Sequence, residues 1–183
     1  MKREQFEHAV RAAGAVLDTN ELLVIGSQAI HGSVSAPLPP EAAHSIEVDV
    51  AVLGDEEGLR ADLIDGTIGE ASMFHATFGY YAQGVVESTA RLPEGWRTRL
   101  VRFQSPGTNG VTALCLEPHD LWISKAIANR PKDIDFCRAL LREDLVRRKV
   151  LTERLTAVPD LSEDHRKIVA RHIGADRARQ GRR

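Results

Sequence analysis

The chain has 183 residues, enough for one domain with a substantial core or one domain with a small addition. Its content of 43% hydrophobic and 27% charged residues is typical of a globular protein, and no apolar run approaches the ~20 residues of a membrane span. The net charge is −2, and the first residues lack the apolar core of a signal peptide. We therefore expect a cytoplasmic protein without membrane association.

The charge is unevenly distributed along the chain. From residue 142 onward there are twelve Lys or Arg against seven Asp or Glu, a local charge of +5 that leaves −7 for the rest. A basic end on an acidic body can attract nucleic acid, although charged runs are also typical of solvated helices.

Cys115 and Cys137 lie far apart and are predicted to be reduced core residues, not a disulfide or a metal site.

The first part of the chain predicts helices and strands in alternation. Phe6, Val10, Ala13 and Leu17 recur with helical spacing. The other segments are identified by apolar runs, period-two alternation and turn residues. The prediction in chain order is a helix at 3–17, a strand at 22–25, a short helix at 28–32, a loop at 33–44, a strand at 46–53, a helix at 55–64, an extended segment at 78–87, and strands at 99–104 and 111–116.

After residue 117 the pattern becomes helical. One helix is predicted from about residue 117, and Pro131 interrupts it because proline disfavours helix at the preceding Arg130. Further helices are predicted at 133–145, 149–158 and 162–173. The expected fold class is α/β (α+β), with a mixed sheet and flanking helices in residues 1–117 and a helical C-terminal region in residues 118–183.

Two acidic residues on one strand form the first candidate site. Residues two apart in a strand point to the same face, so Glu47 and Asp49 project together, whereas Ile46, Val48 and Val50 face the other way. Adjacent carboxylates repel each other, and a divalent cation between them relieves this repulsion. Oxygen ligands of this kind suit Mg²⁺. The alternative is an exposed strand face without a ligand.

A Gly-Ser turn after the first strand forms the second candidate site. Gly26 allows close approach of the backbone to a ligand, and the helix that follows offers free N–H groups to a phosphate. The Ser27 hydroxyl can add a hydrogen bond. The chain contains neither a Walker A loop nor the Gly-x-Gly-x-x-Gly dinucleotide pattern.

In combination, Gly26-Ser27 and Glu47-x-Asp49 resemble the nucleotidyltransferase superfamily, also called the polymerase-beta-like or minimal nucleotidyltransferase fold. That superfamily has a Gly-Ser turn followed by a strand with two acids one residue apart, of which the first is more often Asp than Glu. The resemblance implies a nucleoside triphosphate substrate whose phosphates contact Ser27, and Mg²⁺ held by Glu47 and Asp49. It also implies a third metal-binding acid on a later strand, for which Glu87 is the candidate.

A second resemblance lies downstream. Lys125, Arg130, Lys132 and Asp133 fit the tail motif of AbiEii-type nucleotidyltransferases, which are toxins of bacterial toxin–antitoxin and phage-abortive systems. The segment between the two helices is shorter here than in many of those toxins. The resemblance implies that Lys125 contacts a phosphate and that Asp133 orients Lys125 or contacts the acceptor. Two simpler interpretations stay open, namely Lys125 as an exposed helix residue and Asp133 as a helix cap.

The resulting hypothesis is a Mg²⁺-dependent enzyme that moves a nucleoside monophosphate from a nucleoside triphosphate to a hydroxyl of tRNA or protein, with a toxin role and an antitoxin partner as the finer expectation. Its candidate residues are catalytic Lys125, Asp133 and Asp49, nucleotide-binding Gly26, Ser27 and Lys125, and metal-binding Glu47, Asp49 and Glu87. Two alternatives stay open. One is a catalytically silent binding or antitoxin module of the same fold, and the other is a small-molecule (drug) nucleotidyltransferase with an acidic acceptor pocket.

Aromatic residues allow two interpretations as well. They can stack on a nucleobase or pack in the core, and packing is the more usual role of such side chains. The residues concerned are Tyr80, Tyr81, Trp96 and Trp122.

Overall fold

Five strands form one mixed sheet in the computed structural model, which describes residues 1–174. The strands are β1 (Glu21–Val24), β2 (Glu47–Ala51), β3 (Tyr81–Gly84), β4 (Val101–Phe103) and β5 (Thr112–Cys115). Their order across the sheet is β3-β2-β1-β5-β4. Strand β1 is parallel to β5 and antiparallel to β2, β2 is parallel to β3, and β4 is antiparallel to β5. The predicted α/β class is confirmed.

Helices flank the sheet and continue after it. They are α1 (Arg3–Val16), α2 (Pro40–Ala43), α3 (Leu59–Ile68), α4 (Met73–Phe78), α5 (Pro118–Ala128), α6 (Pro131–Arg142), α7 (Arg148–Thr156) and α8 (Glu163–Gly174). Helices α1 and α3 pack together and contact β2 and β3, whereas α5 contacts α6, α7 and α8. The helical region therefore packs around α5. The last part of the basic C-terminal segment, residues 175–183, lies outside the described residues.

Prolines determine where α5 and α6 begin. Pro118 and Pro131 are the first residues of these helices, a position where the missing N–H of proline is not needed. Arg130 is extended, with φ −74° and ψ 154°, as the residue before a proline is expected to be. The predicted interruption at Pro131 is confirmed, but α6 begins at Pro131 and not at Asp133.

Three predicted segments differ from the structure. The loop at 33–44 contains the short helix α2. Helix α3 begins at Leu59 and not at Asp55, because the Asp55 carboxylate accepts hydrogen bonds from the N–H groups of Arg60 and Ala61 at 3.0 and 3.1 Å. The extended segment at 78–87 contains only the four residues of β3, since α4 runs to Phe78 and ends at Gly79 with a φ of 75°.

A single hydrophobic core joins both parts of the chain. It includes Leu23 and Val50 from the sheet as well as Trp122, Leu140 and Val169 from the helices that follow residue 117. The boundary predicted at 117 falls between β5 and α5. Both cysteines are buried and free, as predicted. Within residues 1–174 no helix combines the length and apolarity needed to cross a membrane.

A buried histidine makes the stability of this fold dependent on pH. His31 is 4% exposed, stacks on Phe6 with 5.0 Å between ring centroids, and has Nε2 3.3 Å from the Met1 carbonyl oxygen. Burial, with a contribution from the Arg3 guanidinium, lowers the pKa of His31 to about 4. The unfolded chain, with an ordinary histidine pKa near ~6.5, therefore takes up this proton at a higher pH than the folded protein does.

We expect His31 to remove up to about 3 kcal/mol from the free energy of unfolding as the pH falls from ~7 to ~4. Urea titrations across this range measure the effect as the difference between wild type and His31→Gln, because other groups contribute equally to both. The variant should lose less stability on acidification than the wild type. His44→Gln, at an exposed position, is the control and should follow the wild type. Parallel curves for wild type and His31→Gln would contradict the assignment.

Candidate active site

Strand β2 presents the two predicted carboxylates on one face. Val48 and Val50 are buried in the core, whereas Glu47 and Asp49 alternate with them and are partly exposed, as the strand period requires. Ile46, which is predicted to share the face of Val48 and Val50, precedes the strand and is 49% exposed. The carboxylates of Glu47 and Asp49 both line a cavity of about 710 Å³, which lies within the usual size range of small-molecule sites.

Gly26 is required at its position because Asp49 lies against it. Gly26 lies two residues after the end of β1, whose neighbour in the sheet is β2, and the N–H of the intervening Ile25 donates to the Asp49 carbonyl oxygen at 3.2 Å. A Cβ atom on residue 26 would lie 1.4 Å from Asp49 Oδ2, so any other residue would displace the carboxylate. The sequence predicts that glycine makes room for a ligand, and the structure adds that it makes room for Asp49.

The electrostatic surroundings of Asp49 favour a nearby cation. Burial raises the pKa of Asp49 above its usual range; Lys125 opposes this shift and the Glu47 carboxylate adds to it. The loss of hydration and the like charge of Glu47 therefore both make ionisation of Asp49 less favourable. A cation placed between the two carboxylates would relieve both effects.

Glu47 has a partner on each of its two oxygens. The Tyr81 hydroxyl donates to Oε2 at 3.1 Å, and Lys132 Nζ lies 3.3 Å from Oε1. Tyr81 is the register partner of Glu47 in the neighbouring strand β3. Burial, together with Glu47, raises the pKa of Tyr81 to about 12, so its hydroxyl is a donor at neutral pH.

Helices α5 and α6 bring a lysine and an aspartate to the same cavity. Lys125 Nζ lies 3.7 Å from Asp133 Oδ1, and Arg130 binds the same carboxylate through Nε at 2.6 Å and Nη2 at 3.2 Å. The Lys125 side chain is only 13% exposed and that of Asp133 is 3% exposed. Of the interpretations left open, an exposed Lys125 is wrong. The capping interpretation of Asp133 is wrong too, since Arg130 is the N-cap of α6 and Asp133 binds side chains.

Two adjoining cavities share the charged residues of this site. Glu47, Lys125 and Lys132 line both the cavity of about 710 Å³ and a smaller one of about 320 Å³. Gly26 and Asp49 line the larger cavity, and Ser27 and Asp133 line the smaller one. The structure therefore brings together, around one continuous group of side chains, every predicted site residue except Glu87.

Glu87 lies elsewhere, and the structure does not support it as the third metal-binding acid. Its carboxylate accepts from the Gly54 N–H at 3.1 Å, forms an ion pair with Arg97, and lines a neighbouring cavity of about 590 Å³ that neither Glu47 nor Asp49 lines. The physical reason is that β3 ends at Gly84, so Glu87 falls in a short 3-10 helix beyond the strand. The β3 residue opposite Asp49 is Gln83, whose side chain lines the main cavity.

Sequence analysis missed two contributions to the cavity lining. The first is Gln83 of β3, which shares a strand face with Tyr81 as Asp49 does with Glu47, and this signal becomes readable only when the strand boundaries are known. The second comes from the start of α8 and the segment before it, and no sequence pattern marked it. Its members are Asp160, Leu161, Ser162 and His165.

Most of the aromatic candidates pack and do not face the site. Trp122 is fully buried and its Nε1 donates to the Cys137 carbonyl oxygen at 2.9 Å. Tyr80 is also buried, with its hydroxyl 2.6 Å from His8 Nδ1. Trp96 lies beside Arg97, whose guanidinium is 4.6 Å from the ring centroid, in the cavity that contains Glu87. The packing interpretation is confirmed for Trp122 and Tyr80.

The oxygen donors of this cavity fit a magnesium ion that takes only part of its ligands from the protein. Within residues 1–174 no three His, Cys, Asp or Glu side chains are grouped as a complete metal site. Mg²⁺, however, is commonly bound through one or two carboxylates, with phosphates and waters completing its shell. Glu47 and Asp49 supply that number of carboxylates beside a basic group of side chains.

Comparison with known proteins adds a family assignment. A family model described as a nucleotidyltransferase of unknown function (DUF6036) matches residues 4–168. This range includes all the cavity residues described above. No match was found among curated proteins or among solved structures.

Proposed function

The chain belongs to the DUF6036 family of nucleotidyltransferases of unknown function, and on this premise we propose that it transfers a nucleoside monophosphate from a nucleoside triphosphate to an acceptor hydroxyl in a Mg²⁺-dependent reaction. The observation that carries the proposal is the convergence of two carboxylates and a largely buried lysine on one cavity. Glu47 and Asp49 come from β2, and Lys125 comes from α5, far away in the chain. Nucleotidyl transfer needs this pairing of acidic metal ligands with a basic phosphate partner.

In the proposed reaction the acceptor oxygen bonds to the α-phosphorus, the bond from the α-phosphorus to the α–β bridging oxygen breaks, pyrophosphate leaves with that oxygen, and the acceptor hydroxyl releases its proton to water. Glu47 and Asp49 are the residues that would hold Mg²⁺, which when bound neutralises charge on phosphoryl oxygens. Lys125, a compact charge oriented by Asp133, would bind a phosphate oxygen. Ser27 in the smaller cavity would donate to the remaining phosphates.

The proposed acceptor is the hydroxyl of a tRNA end or of a protein. The +5 charge of residues 142–183 supports RNA, since phosphate backbones are attracted to basic segments. The positions of Lys125 and Asp133 support the finer proposal of an AbiEii-like toxin with an antitoxin partner in the cytoplasm. A neighbouring reading frame for a small DNA-binding antitoxin would strengthen this proposal, and a gene without such a neighbour would weaken it.

The test is transfer of label from each α-³²P nucleoside triphosphate, with Mg²⁺, to total tRNA, total protein and small hydroxyl compounds in separate reactions. We expect one acceptor class to become labelled, with release of pyrophosphate, and EDTA to abolish the labelling. Nucleotide binding by calorimetry without transfer to any acceptor would instead favour the silent binding module. The contacts of Glu47 with Lys132 and Tyr81 are the observation in favour of that second candidate, because they satisfy this carboxylate without a metal.

Replacing Lys125 by methionine should lower the rate of transfer about a hundredfold, because an oriented donor to the phosphoryl oxygens is lost while the aliphatic stem is kept. Initial rates of label transfer measure the effect. Lys149→Met removes the same charge from an exposed position on α7 and should leave the rate within about twofold of wild type. Equal rates for the two variants would remove Lys125 from the proposed site.

A further inference from the structure

We infer that Tyr81 and Lys132 act on Glu47 in opposite ways. Tyr81 positions the carboxylate for a metal ion, whereas the Lys132 ammonium group competes with the metal for that carboxylate and must be displaced when the metal binds. This inference rests on the proposed function, which assigns the metal to Glu47 and Asp49. It concerns the two contacts that occupy the Glu47 oxygens, Tyr81 at 3.1 Å and Lys132 at 3.3 Å.

Glu47 needs a positioning partner because its side chain is longer than that of Asp49. The extra methylene adds a rotatable bond, and ordering such a side chain costs conformational entropy. The Asp49 side chain packs directly against the Gly26 backbone. Among the described residues, the Glu47 carboxylate contacts the side chains of Tyr81 and Lys132 and has no comparable backbone contact. A hydrogen-bond donor on one oxygen restricts the remaining rotation and leaves the other oxygen for a cation.

Tyr81 is built to be that donor. It lies directly opposite Glu47 in the parallel β2–β3 ladder, so the distance between the two residues is set by the sheet. The Tyr81 residue is 7% exposed, and its ring packs against His75 with 4.7 Å between centroids. The hydroxyl is therefore fixed from two sides. Partners of this kind, which hold a metal ligand in place, commonly change metal affinity tenfold or more when removed.

Lys132 has the opposite character. It lies in the first turn of α6, and its side chain is 60% exposed, so that its four-carbon stem can move into solvent. An exposed ion pair of this kind is weak, and a divalent cation can replace it. Lys132 nevertheless occupies the Glu47 oxygen that Tyr81 does not bind, and both residues line both cavities. It therefore competes with the metal for the same carboxylate.

The test is binding of Mn²⁺, an oxygen-seeking substitute for Mg²⁺, to the nucleotide-free protein, measured from the free Mn²⁺ signal by electron paramagnetic resonance. Tyr81→Phe should weaken binding about tenfold, because the positioning donor is lost. Lys132→Met should tighten binding about threefold, because the competitor is lost. Opposite signs are the signature of the inference, since general damage to the site would weaken binding in both variants.

Matched controls exist one residue or nearly two helical turns away. Tyr80→Phe removes a hydroxyl that binds His8 outside the cavity. Arg138→Met removes a positive charge, also ion-paired, from the same helix as Lys132. Both controls should bind Mn²⁺ as the wild type does. Because Lys132 and Arg138 are exposed, their variants should fold, which thermal unfolding checks.

The outcomes separate this inference from the proposed function. Unchanged binding in Tyr81→Phe, or unchanged or weaker binding in Lys132→Met, would overturn the inference even if transfer activity is found. If Glu47→Gln fails to weaken Mn²⁺ binding, the metal does not bind Glu47, and the inference falls together with the metal assignment. The predicted opposite shifts without any transfer activity would support the inference while removing catalysis from the proposed function.

Discussion

Replacing Asp49 by asparagine is expected to lower nucleotidyl transfer at least about a thousandfold while the protein stays folded. Asparagine keeps the shape that fits beside Gly26, but it carries no charge and is a poorer ligand for Mg²⁺. Because burial raises the pKa of Asp49, its ionised form is less favourable in the folded protein than in the unfolded chain. The neutral variant should therefore be as stable as the wild type or more stable at neutral pH.

Two measurements on the same variant check this expectation. Label transfer from an α-³²P nucleoside triphosphate gives the loss of activity, and urea unfolding gives the change in stability. Asp62→Asn, at an exposed position on α3, is the matched control and should change neither quantity. Retention of more than about a tenth of wild-type transfer by Asp49→Asn would be incompatible with the site. A lower unfolding free energy would contradict the electrostatic account of Asp49.

The features that followed from local rules could be predicted from the sequence. Period-two alternation puts Glu47 and Asp49 on the face opposite Val48 and Val50, as found in β2. The steric effect of Pro131 separates α5 from α6 as predicted. These arguments need only the residue itself and its immediate neighbours. The fold class could also be inferred without long-range contacts, because it follows from the order of the helices and strands that these local patterns predict.

Features that depend on pairing between distant segments could not be predicted. Gln83, and not Glu87, lies opposite Asp49, because the end of β3 is set by its pairing with β2 and by the turn at Gly79. A shift of one residue in register moves a side chain to the other face of the sheet. The predicted extended segment at 78–87 was therefore too imprecise to identify which of its residues faces the two acids. The contribution of α8 to the cavity, through His165, also arises from tertiary packing alone.

Asp120 is a third case of this kind, since it lies on the same helix as Lys125 but binds residues of the fold and does not line the cavity. Its side chain is 1% exposed, and its two oxygens bind Arg99 at 2.8 and 3.1 Å. Arg154 of α7 lies 3.1 Å from Oδ1 as an ion-pair partner, although its Nε makes no hydrogen bond within the described residues. Asp120 thus ties α5 to α7 and to the segment before β4.

Replacing Asp120 by alanine should therefore lower the free energy of unfolding by about 3–5 kcal/mol, because both guanidinium groups lose the carboxylate that compensates their burial. For a chain of this size the melting temperature should fall on the order of 10 °C. Asp135→Ala is the matched control, since Asp135 forms an exposed ion pair with Arg138, and it should cost no more than about 1 kcal/mol.

The size of the Asp120 effect tests whether the buried pair or the surrounding apolar contacts hold α5 in place. A loss below about 1 kcal/mol would mean that water or a relaxed packing compensates both arginines. A large loss that Arg99→Met restores when combined with Asp120→Ala would locate the cost in the uncompensated Arg99 charge. Since Lys125 lies on the same helix as Asp120, a displaced α5 would also move the proposed phosphate ligand, so stability and transfer should fall together in this variant alone.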